Sequence, residues 1–256
     1  MKIKLVKNKD GLLSVNKKPS QQELKNLYKN LYYQKNLSKT YKKKYSYDEI
    51  KFNELNFRLA QLFFKRKHKS ILDIGTGEGY LLSFFIKQNY KCYGVDYSKH
   101  GMISQNPRLL KKIEFVNCDI IEDNFFIGKT FDIIFLMNVA EHVPNFNILI
   151  KKIYKKLKKG GLLIIKVPNE YDIVHKKYLK NNNLKKEQLA IFNPLHHLNY
   201  FNKDSLKKSV LNNVDLKCLT MYSDFPIEIF ILNKFTNYYK KKSFGKNAHD
   251  LRVKIT

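Results

Sequence analysis

The sequence predicts an α/β fold in which helices flank a mostly parallel sheet, and three observations support this. An apolar run at Ile71–Ile74 leads into a turn with three alternate glycines and then into an amphipathic segment, Tyr80–Lys87. From residue 70 to residue 167, short apolar runs alternate with segments of helical periodicity, as in parallel strands joined by right-handed crossovers. The run Phe131–Met137 is apolar except for Asp132, which is typical of a strand covered on both faces.

Five strands are expected between residues 70 and 169. They are predicted at 71–74, 91–96, 113–119, 131–137 and 162–169. The helix before the fifth strand carries apolar side chains at helical spacing from Phe146 to Leu157, and lysines occupy its other face. Gly160 and Gly161 are expected to end that helix, because glycine is common just beyond a helix C-terminus.

Residues 1–67 are expected to form an N-terminal arm or hairpin and a helical lid. Helices are predicted at about 18–34, where Ser20 and Glu23 form a capping box, and at about 48–67. The tyrosine-rich stretch between them has two interpretations. Its rings either pack against the core or help a lid enclose a ligand, since tyrosine offers a flat apolar face and a hydroxyl.

Residues 68–256 are expected to form the main domain, interrupted by an inserted cap at about 168–202. A helix is predicted at 203–212 and a late strand at 214–222. The tail beyond has apolar character but no clean period, so it predicts no definite element.

The composition restricts the classes of function. The chain of 256 residues carries a formal net charge of +27, nearly all of it from lysine. That charge indicates an anionic partner such as RNA, or else lysines spread over solvated faces, and the scarcity of arginine favours the second interpretation. No apolar run reaches the roughly 18 residues of a membrane span. Three scattered cysteines, Cys92, Cys118 and Cys218, predict neither a zinc site nor a disulfide framework, and a cytoplasmic location is expected.

The turn after the first core strand has the spacing Gly-x-Gly-x-Gly, at Gly75, Gly77 and Gly79. A turn that seats a pyrophosphate has the spacing Gly-x-Gly-x-x-Gly instead. Asp73 and Glu78 stand beside the glycines, and two carboxylates would repel a pyrophosphate. They favour a cationic ligand, such as the sulfonium and ammonium groups of S-adenosylmethionine.

Asp96 ends the second predicted core strand. An acid at that place can accept hydrogen bonds from both ribose hydroxyls of a nucleoside, and Tyr97 could cover the adenine. The alternative is that Asp96 caps the next helix. The glycine turn upstream favours the ribose role.

These segments together are similar to a known enzyme family. LDIGTGEG, GVDYS, NCDI, NVAEHV and a glycine-started strand ending in VPN resemble the core of the class I S-adenosylmethionine-dependent methyltransferases. The flanks, among them HHLNYF, SDFPIEIF and GKNAHDLR, resemble a narrower group from bacterial surface-polysaccharide (capsule and O-antigen) gene clusters.

The resemblance implies a Rossmann-like fold with a seven-stranded, mostly parallel sheet, N-terminal helices and an inserted cap. It implies S-adenosylmethionine as cofactor and S-adenosylhomocysteine as product. In that family an acid at the position of Asp119 bonds the exocyclic amine of adenine; the alternative is an acid of a surface turn. The implied cofactor contacts are Asp73, Gly75, Thr76, Gly77, Gly79, Asp96, Tyr97, Asp119 and Asn138.

Methyl transfer to a hydroxyl needs a base, because the oxygen must lose its proton. Histidine titrates in a suitable range, and His142, His196 and His197 are the candidates. Glu141 and Tyr200 are secondary candidates. The alternative for each histidine is a structural hydrogen bond. No metal site is expected, because His196 and His197 are adjacent and lack the four-residue spacing of a helical metal site.

Three functions stay open. The favoured one is an S-adenosylmethionine-dependent O-methyltransferase of a small polar acceptor, either a sugar hydroxyl or a phosphoryl or phosphoramidate oxygen of a nucleotide-linked precursor in surface-polysaccharide biosynthesis. The second is an RNA methyltransferase that uses the basic surface. The third is a non-catalytic, cofactor-binding partner subunit. The expected partner is a small anionic or nucleotide-linked molecule, and nucleic acid is not favoured.

Overall fold

The computed structural model describes residues 3–28, 45–171, 173–188, 192–194 and 196–221. The strands are β1 (Leu5–Lys7), β2 (Leu13–Val15), β3 (Ser70–Ile74), β4 (Lys91–Asp96), β5 (Glu114–Asn117), β6 (Phe131–Met137), β7 (Leu157–Lys166) and β8 (Asn199–Tyr200). The helices are α1 (Gln21–Asn26), α2 (Tyr47–Gln61), α3 (Tyr80–Ile86), α4 (His100–Gln105), α5 (Phe146–Tyr154), α6 (Ile173–Asn181) and α7 (Lys203–Leu211).

The chain divides into two compact units. The sheet unit consists of residues 19–140 and 145–166, and the hairpin unit consists of residues 1–18, 141–144 and 167–256. Each unit draws on distant parts of the sequence, and the division after residue 67 that the sequence suggested stays a prediction.

The sheet unit contains a five-stranded parallel sheet in the order β5-β4-β3-β6-β7. β3 pairs with β4 on one side and with β6 on the other, so the strand order reverses beside β3. Every residue of β3 is buried, and β6 is buried except for its last residue. The predicted α/β fold with a parallel sheet flanked by helices is therefore confirmed. In such sheets, ligands bind beyond the carboxyl ends of the strands at the point of reversal, which here is the glycine turn that follows β3.

Aromatic side chains join the helices of the sheet unit to its core. The ring centroids of Phe85 in α3 and Phe135 in β6 lie 5.5 Å apart, and Phe57 of α2 lies 6.3 Å from Phe85. α2 begins with a capping box of Ser46 and Glu49, which the sequence analysis missed. The helix is shorter than predicted: it ends at Gln61, where the chain turns and exposes its next side chains to solvent.

The predicted end of the helix before β7 was wrong. α5 ends at Tyr154, and β7 already begins at Leu157. Gly160 and Gly161 therefore lie inside the strand, beside an irregularity in its pairing with β6. Gly160 has a φ of +74°, and a Cβ on Gly161 would lie 2.8 Å from the carbonyl oxygen of Asp132. The two glycines permit a bulge in the strand, and they do not end the helix.

The hairpin unit contains a three-stranded antiparallel sheet in the order β1-β2-β8. β1 and β2 form a hairpin, one of the two forms considered for the N-terminal segment. β8 adds to β2, with Leu13 opposite Tyr200, and nothing in the sequence pattern predicted this pairing. α7, predicted at 203–212, is present and starts at a capping box of Asn202 and Ser205.

Two sequence predictions extend beyond the described residues. α1 begins with the predicted capping box of Ser20 and Glu23, but the rest of the helix predicted at 18–34 falls partly on residues outside the described ranges. The late strand predicted at 214–222 was wrong for its described part, since residues 214–221 form no strand and are mostly exposed. The described residues contribute five strands to the parallel sheet, and the implied number of seven stays a prediction. None of the described helices has the length and apolar character that a membrane crossing requires.

Candidate functional site

The turn after β3 requires glycine for steric reasons. Gly75, Gly77 and Gly79 have φ angles of +75°, +55° and +78°. A Cβ on Gly75 would lie only 2.3 Å from Cγ2 of Val139. The amide of Gly75 donates to the carbonyl of Val95 at 2.8 Å, which ties the turn to the end of β4. Glycine alone combines this backbone conformation with so close an approach of a neighbouring side chain.

Asp96 holds the turn from the neighbouring strand. Its Oδ2 accepts from the amide of Gly77 at 2.8 Å, and its Oδ1 accepts from the amide of Ser98 at 3.1 Å. Burial raises the pKa of Asp96, although these amide bonds favour the ionised form. Burial, and then the charge of Asp96, raises the pKa of Asp73 well above its usual range. The buried carboxyl group of Asp73 and the partly buried one of Asp96 thus lie beside the turn, where a bound cation would stabilise their ionised forms.

Thr76 and Asn138 differ in where the structure places them. The Thr76 hydroxyl is buried within hydrogen-bond distance of two carbonyl oxygens, those of Asp73 (3.1 Å) and Val95 (3.3 Å), so it supports the turn from inside. Asn138 directly follows β6 with a φ of +55°, and its amide donates to the carbonyl of Lys166 at 2.8 Å. A left-handed backbone at a residue other than glycine stores strain, which is common at functional positions.

Tyr97 and Asp119 form a hydrogen-bonded pair after β4 and β5. The Tyr97 hydroxyl donates to Oδ2 of Asp119 at 2.6 Å, and Oδ1 of Asp119 accepts from the amide of Ile121 at 2.8 Å. Asp119 is only 6% exposed, unlike an ordinary acid of a surface turn. The ring of Tyr28 stacks on Tyr97, with centroids 5.8 Å apart and planes 19° apart. The N-terminal segment therefore covers this pair with a second aromatic ring.

Glu78, the acid inside the glycine turn, is also contacted from the N-terminal side. The Tyr45 hydroxyl donates to Oε1 of Glu78 at 3.1 Å, and the Tyr45 ring lies edge-on to Tyr80 with centroids 5.4 Å apart. Burial raises the pKa of Glu78, and the hydrogen bond from Tyr45 opposes that shift. Contacts of this kind are what the lid interpretation of the tyrosines requires.

In the hairpin unit, the fold brings Glu141, His142 and His197 together. Nε2 of His142 lies 3.8 Å from Oε1 of Glu141, and the imidazole centroids of His142 and His197 are 5.1 Å apart. Nδ1 of His142 hydrogen-bonds to the backbone carbonyl of His196, the third candidate histidine. Four of the five predicted catalytic residues thus belong to one cluster.

Glu170 is a member of this cluster that the sequence analysis missed. Its Oε1 lies 3.1 Å from Nδ1 of His197, and Glu170 is 4% exposed. The two residues are 27 positions apart, so no local spacing links them. One signal could have found Glu170: it follows the carboxyl end of a predicted parallel strand, where polar residues tend to serve ligands.

The three histidines differ in their preference for a proton. Burial, and then the neighbouring His197, lowers the pKa of His142 to about 4. Burial also lowers the pKa of His196. For His197, burial acts to lower the pKa, but the hydrogen bond and the charge of Glu170 outweigh it and raise the pKa. His142 is therefore neutral at neutral pH.

Tyr200, the fifth predicted catalytic residue, lies next to His197 of the cluster. Its hydroxyl accepts from the amide of Asn193 at 3.1 Å, and its ring centroid lies 6.2 Å from that of His197. Burial raises the pKa of Tyr200 above its usual range, which makes ionisation harder. This placement is typical of a residue that positions the His197 ring.

Residues 47–220, more than half of the chain, match the family described as a methyltransferase domain. The chain belongs to that family. This confirms the predicted class I S-adenosylmethionine-dependent methyltransferase domain and its cofactor. Membership of this family identifies neither the methyl acceptor nor a link with surface-polysaccharide genes.

Individual relatives resemble parts of this methyltransferase domain. An (S)-coclaurine N-methyltransferase of Thalictrum flavum subsp. glaucum is 31% identical, over 46% of this chain and 35% of its own. A ubiquinone biosynthesis O-methyltransferase of Coxiella burnetii is 31% identical, over 50% of this chain and 57% of its own. A solved structure of a phosphoethanolamine N-methyltransferase of Haemonchus contortus is 20% identical to this chain and has a TM-score of 0.49. The match covers 78% of this chain and 47% of that protein's chain. The chain thus spans about a third to somewhat over half of the length of these relatives.

Proposed function

We propose that the whole protein transfers the methyl group of S-adenosylmethionine to an oxygen atom of a small polar acceptor. The observation that carries the proposal is the glycine turn beside the carboxyl groups of Asp73, which is buried, and Asp96, which is partly buried. A sulfonium and an ammonium group supply positive charge that stabilises both carboxylates, whereas a pyrophosphate would be repelled.

The cofactor-binding roles follow from this arrangement. The backbone at Gly75–Gly79 allows the cofactor to approach closely, with Asp73 beside its charged groups. Asp96 accepts from the ribose hydroxyls as well as from its amide partners, because each carboxylate oxygen offers two lone pairs. Tyr97 covers the adenine, and Asp119 accepts from its exocyclic amine. Asn138 binds at the end of the neighbouring strand.

The N-terminal helices act as a lid on this site in the proposal. The stacking of Tyr28 on Tyr97 and the hydrogen bond from Tyr45 to Glu78 support that role. The first contact joins the expected lid, 1–67, to the predicted cofactor-binding residue Tyr97, and the second joins it to Glu78 inside the glycine turn. A lid of this kind excludes water from the reacting atoms.

The transfer itself is an in-line displacement. The acceptor oxygen attacks the methyl carbon, the bond between that carbon and sulfur breaks, and its electron pair stays on sulfur to give S-adenosylhomocysteine. The proton of a hydroxyl acceptor passes to one imidazole of the cluster formed by His142, His196 and His197. Glu141, Glu170 and Tyr200 hold these rings in place, and positioning contributes much of the rate enhancement.

An anionic acceptor fits the surroundings of this cluster. Lys18 donates to the carbonyl of Pro144, two residues beyond His142 in the chain, and burial lowers the pKa of Lys18. A lysine at this place favours a phosphoryl group or a nucleotide-linked sugar. That the acceptor is a precursor of a surface polysaccharide rests on the similarity of the flanking segments alone. A cytoplasmic location agrees with three cysteines that form no disulfide.

The test is a transfer assay with a panel of acceptors. The purified protein is incubated with S-adenosylmethionine and, separately, with nucleotide-linked sugars, phosphoramidates or RNA, and S-adenosylhomocysteine is measured. We expect product only with the small anionic acceptors, and mass spectrometry should place the new methyl group on oxygen. Single alanine variants of His142, His196 and His197 identify the base.

Three outcomes would contradict the proposal. Methylated RNA would favour the second function considered above. Tight binding of S-adenosylmethionine without turnover on any acceptor would favour a non-catalytic partner subunit. A methyl group on nitrogen would overturn the assignment of oxygen as the accepting atom.

A further inference from the structure

Two imidazoles and one carboxylate of the hairpin unit form a ligand set for a metal ion. Glu141, His142 and His197 each have one nitrogen or oxygen atom within 4.8 Å of those of the other two. Glu141 is 1% exposed, and the two histidine side chains are 18% and 23% exposed. We propose that these three side chains bind a divalent transition-metal ion of the zinc type. Sequence spacing did not predict the site, because its ligands come from distant segments.

The hydrogen bonds of the two histidines favour such a site. A backbone carbonyl can only accept, so Nδ1 of His142 carries a hydrogen toward the carbonyl of His196. The neutral ring then carries its lone pair on Nε2, which lies 3.8 Å from a carboxylate oxygen of Glu141. Two acceptor atoms this close are stabilised by a cation that both can bind.

Glu170 accepts a hydrogen bond from the His197 ring, as the backbone carbonyl of His196 does from the His142 ring. Its carboxylate oxygen lies 3.1 Å from Nδ1 of His197, which fixes that nitrogen as the donor and leaves Nε2 as the ligand atom. Histidines that bind metals almost always donate their other ring nitrogen to a carboxylate or a backbone carbonyl. Both arrangements occur here, one on each ring.

A bound ion requires the three ligand atoms to draw closer together than they lie in the structure. Zinc binds imidazole nitrogen at about 2.0–2.1 Å and carboxylate oxygen at about 2.0–2.2 Å, so tetrahedral ligands lie roughly 3.4 Å apart. The observed 3.8 Å between His142 and Glu141 must shorten by about 0.4 Å, and the pairs with His197, which lie within 4.8 Å, by up to about 1.4 Å, which rotation of the side chains must supply. Imidazole ligands suit zinc, copper, iron and nickel, whereas magnesium, calcium and manganese prefer oxygen ligands.

Three protein ligands leave one coordination position for an exogenous oxygen, as in catalytic zinc sites. The role of the ion rests on the proposed function, although its binding does not. The ion, when bound, would lower the pKa of an acceptor hydroxyl at that position and so ease the loss of its proton. With His142 and His197 acting as ligands, His196 is the histidine of the cluster that receives the proton.

Cobalt is the probe for the test, because its visible absorption reports the ligand environment. The full chain is stripped of metal with a chelator and titrated with Co²⁺, and Zn²⁺ is then added as a competitor. We expect one ion per chain, displaced by Zn²⁺. His142→Ala and His197→Ala should abolish saturable binding, and Glu170→Gln should weaken it by about 10–100-fold by releasing the His197 ring.

A matched control and a folding check make the result decisive. His100→Ala removes an exposed histidine of the sheet unit and should leave Co²⁺ binding unchanged. Circular dichroism and thermal unfolding of the whole chain without Co²⁺ report whether each variant is folded. Absence of saturable Co²⁺ binding in the wild-type protein would overturn the inference, as would binding that survives both histidine changes. Turnover that is unaffected by the chelator would overturn the role of the ion and leave the proposed function standing.

Discussion

Replacing Gly75 with alanine tests the steric argument for the glycine turn. A left-handed backbone costs an alanine about 1–2 kcal/mol. The new Cβ would also lie 2.3 Å from Cγ2 of Val139, where carbon atoms in contact are about 3.5–4.0 Å apart. One of the two must move by more than about 1 Å, and overpacking of this kind costs about 1–3 kcal/mol. The total loss of unfolding free energy should therefore be about 2–5 kcal/mol.

Gly128 is a matched control for this change. It has a φ of +73°, close to that of Gly75, but a Cβ there would meet nothing within 4 Å. Gly128→Ala should lose only the backbone contribution of about 1–2 kcal/mol and should leave cofactor binding unchanged. Chemical denaturation measures the first quantity, and calorimetry with S-adenosylmethionine measures the second.

The double variant Gly75→Ala/Val139→Ala separates the clash from the backbone cost. Val139→Ala deletes the methyl groups that collide, so the two changes together should be less damaging than the sum of each alone. We expect a coupling energy of about 1–3 kcal/mol. Equal losses for Gly75→Ala and Gly128→Ala, or strictly additive effects in the double variant, would refute the steric reasoning.

Three further predictions concern acidic residues. Asp96→Asn should weaken S-adenosylmethionine binding by roughly 10–100-fold, because hydrogen bonds to a charged group contribute about 1.5–3 kcal/mol, and calorimetry measures this. Burial raises the pKa of both Asp73 and Asp96, and a cationic ligand binds their ionised forms, so the affinity for S-adenosylmethionine should fall as the pH falls toward those raised pKa values. S-adenosylhomocysteine lacks the sulfonium, so its affinity should fall less. Equal losses of affinity for the two ligands would contradict the assignment of charge. Burial acts to raise the pKa of Asp132, but hydrogen bonds from Ser70, Lys69 and Lys158 outweigh it and hold the pKa below its usual value. This carboxylate therefore stabilises the fold at pH values above its unfolded-state pKa, and that stabilisation is lost as acid protonates it. Asp132→Asn should then reduce stability at pH 7 by about 1–3 kcal/mol and make acid unfolding less steep, and an unchanged acid transition would contradict this account.

The strands of the sheet unit could be predicted closely because their signal is local. β4 and β6 match the predicted 91–96 and 131–137, since strands buried on both faces show as short uninterrupted apolar runs. Gly160 and Gly161 misled the analysis, because glycine marks a helix end and a strand bulge equally well. Only the pairing of β7 with β6 distinguishes a strand bulge from a helix end, and the local sequence does not show which strands pair.

The candidate site was predictable in its glycine turn and less so in its histidine cluster. Spacing and charge alone indicated Asp73, Asp96 and the three glycines as candidate cofactor-binding residues. Glu170 was missed because its partner His197 is 27 positions away and reaches it only through the fold. The possible joint role of Glu141 with two histidines was missed for the same reason, since spacing rules for metal sites consider residues that are close in sequence.

The three-stranded sheet of the hairpin unit has a consequence for how the chain is made. β2 pairs with β8 across 187 positions, from Leu13 to Tyr200 (200 − 13). At synthesis rates of about 5–20 residues per second, the free edge of β2 waits roughly 10–40 s for its partner to leave the ribosome. An unpaired edge invites pairing with other chains, and lysines are a common protection against it. The lysines at positions 4, 7, 9, 17 and 18 lie in or beside this hairpin, where their charge disfavours such pairing.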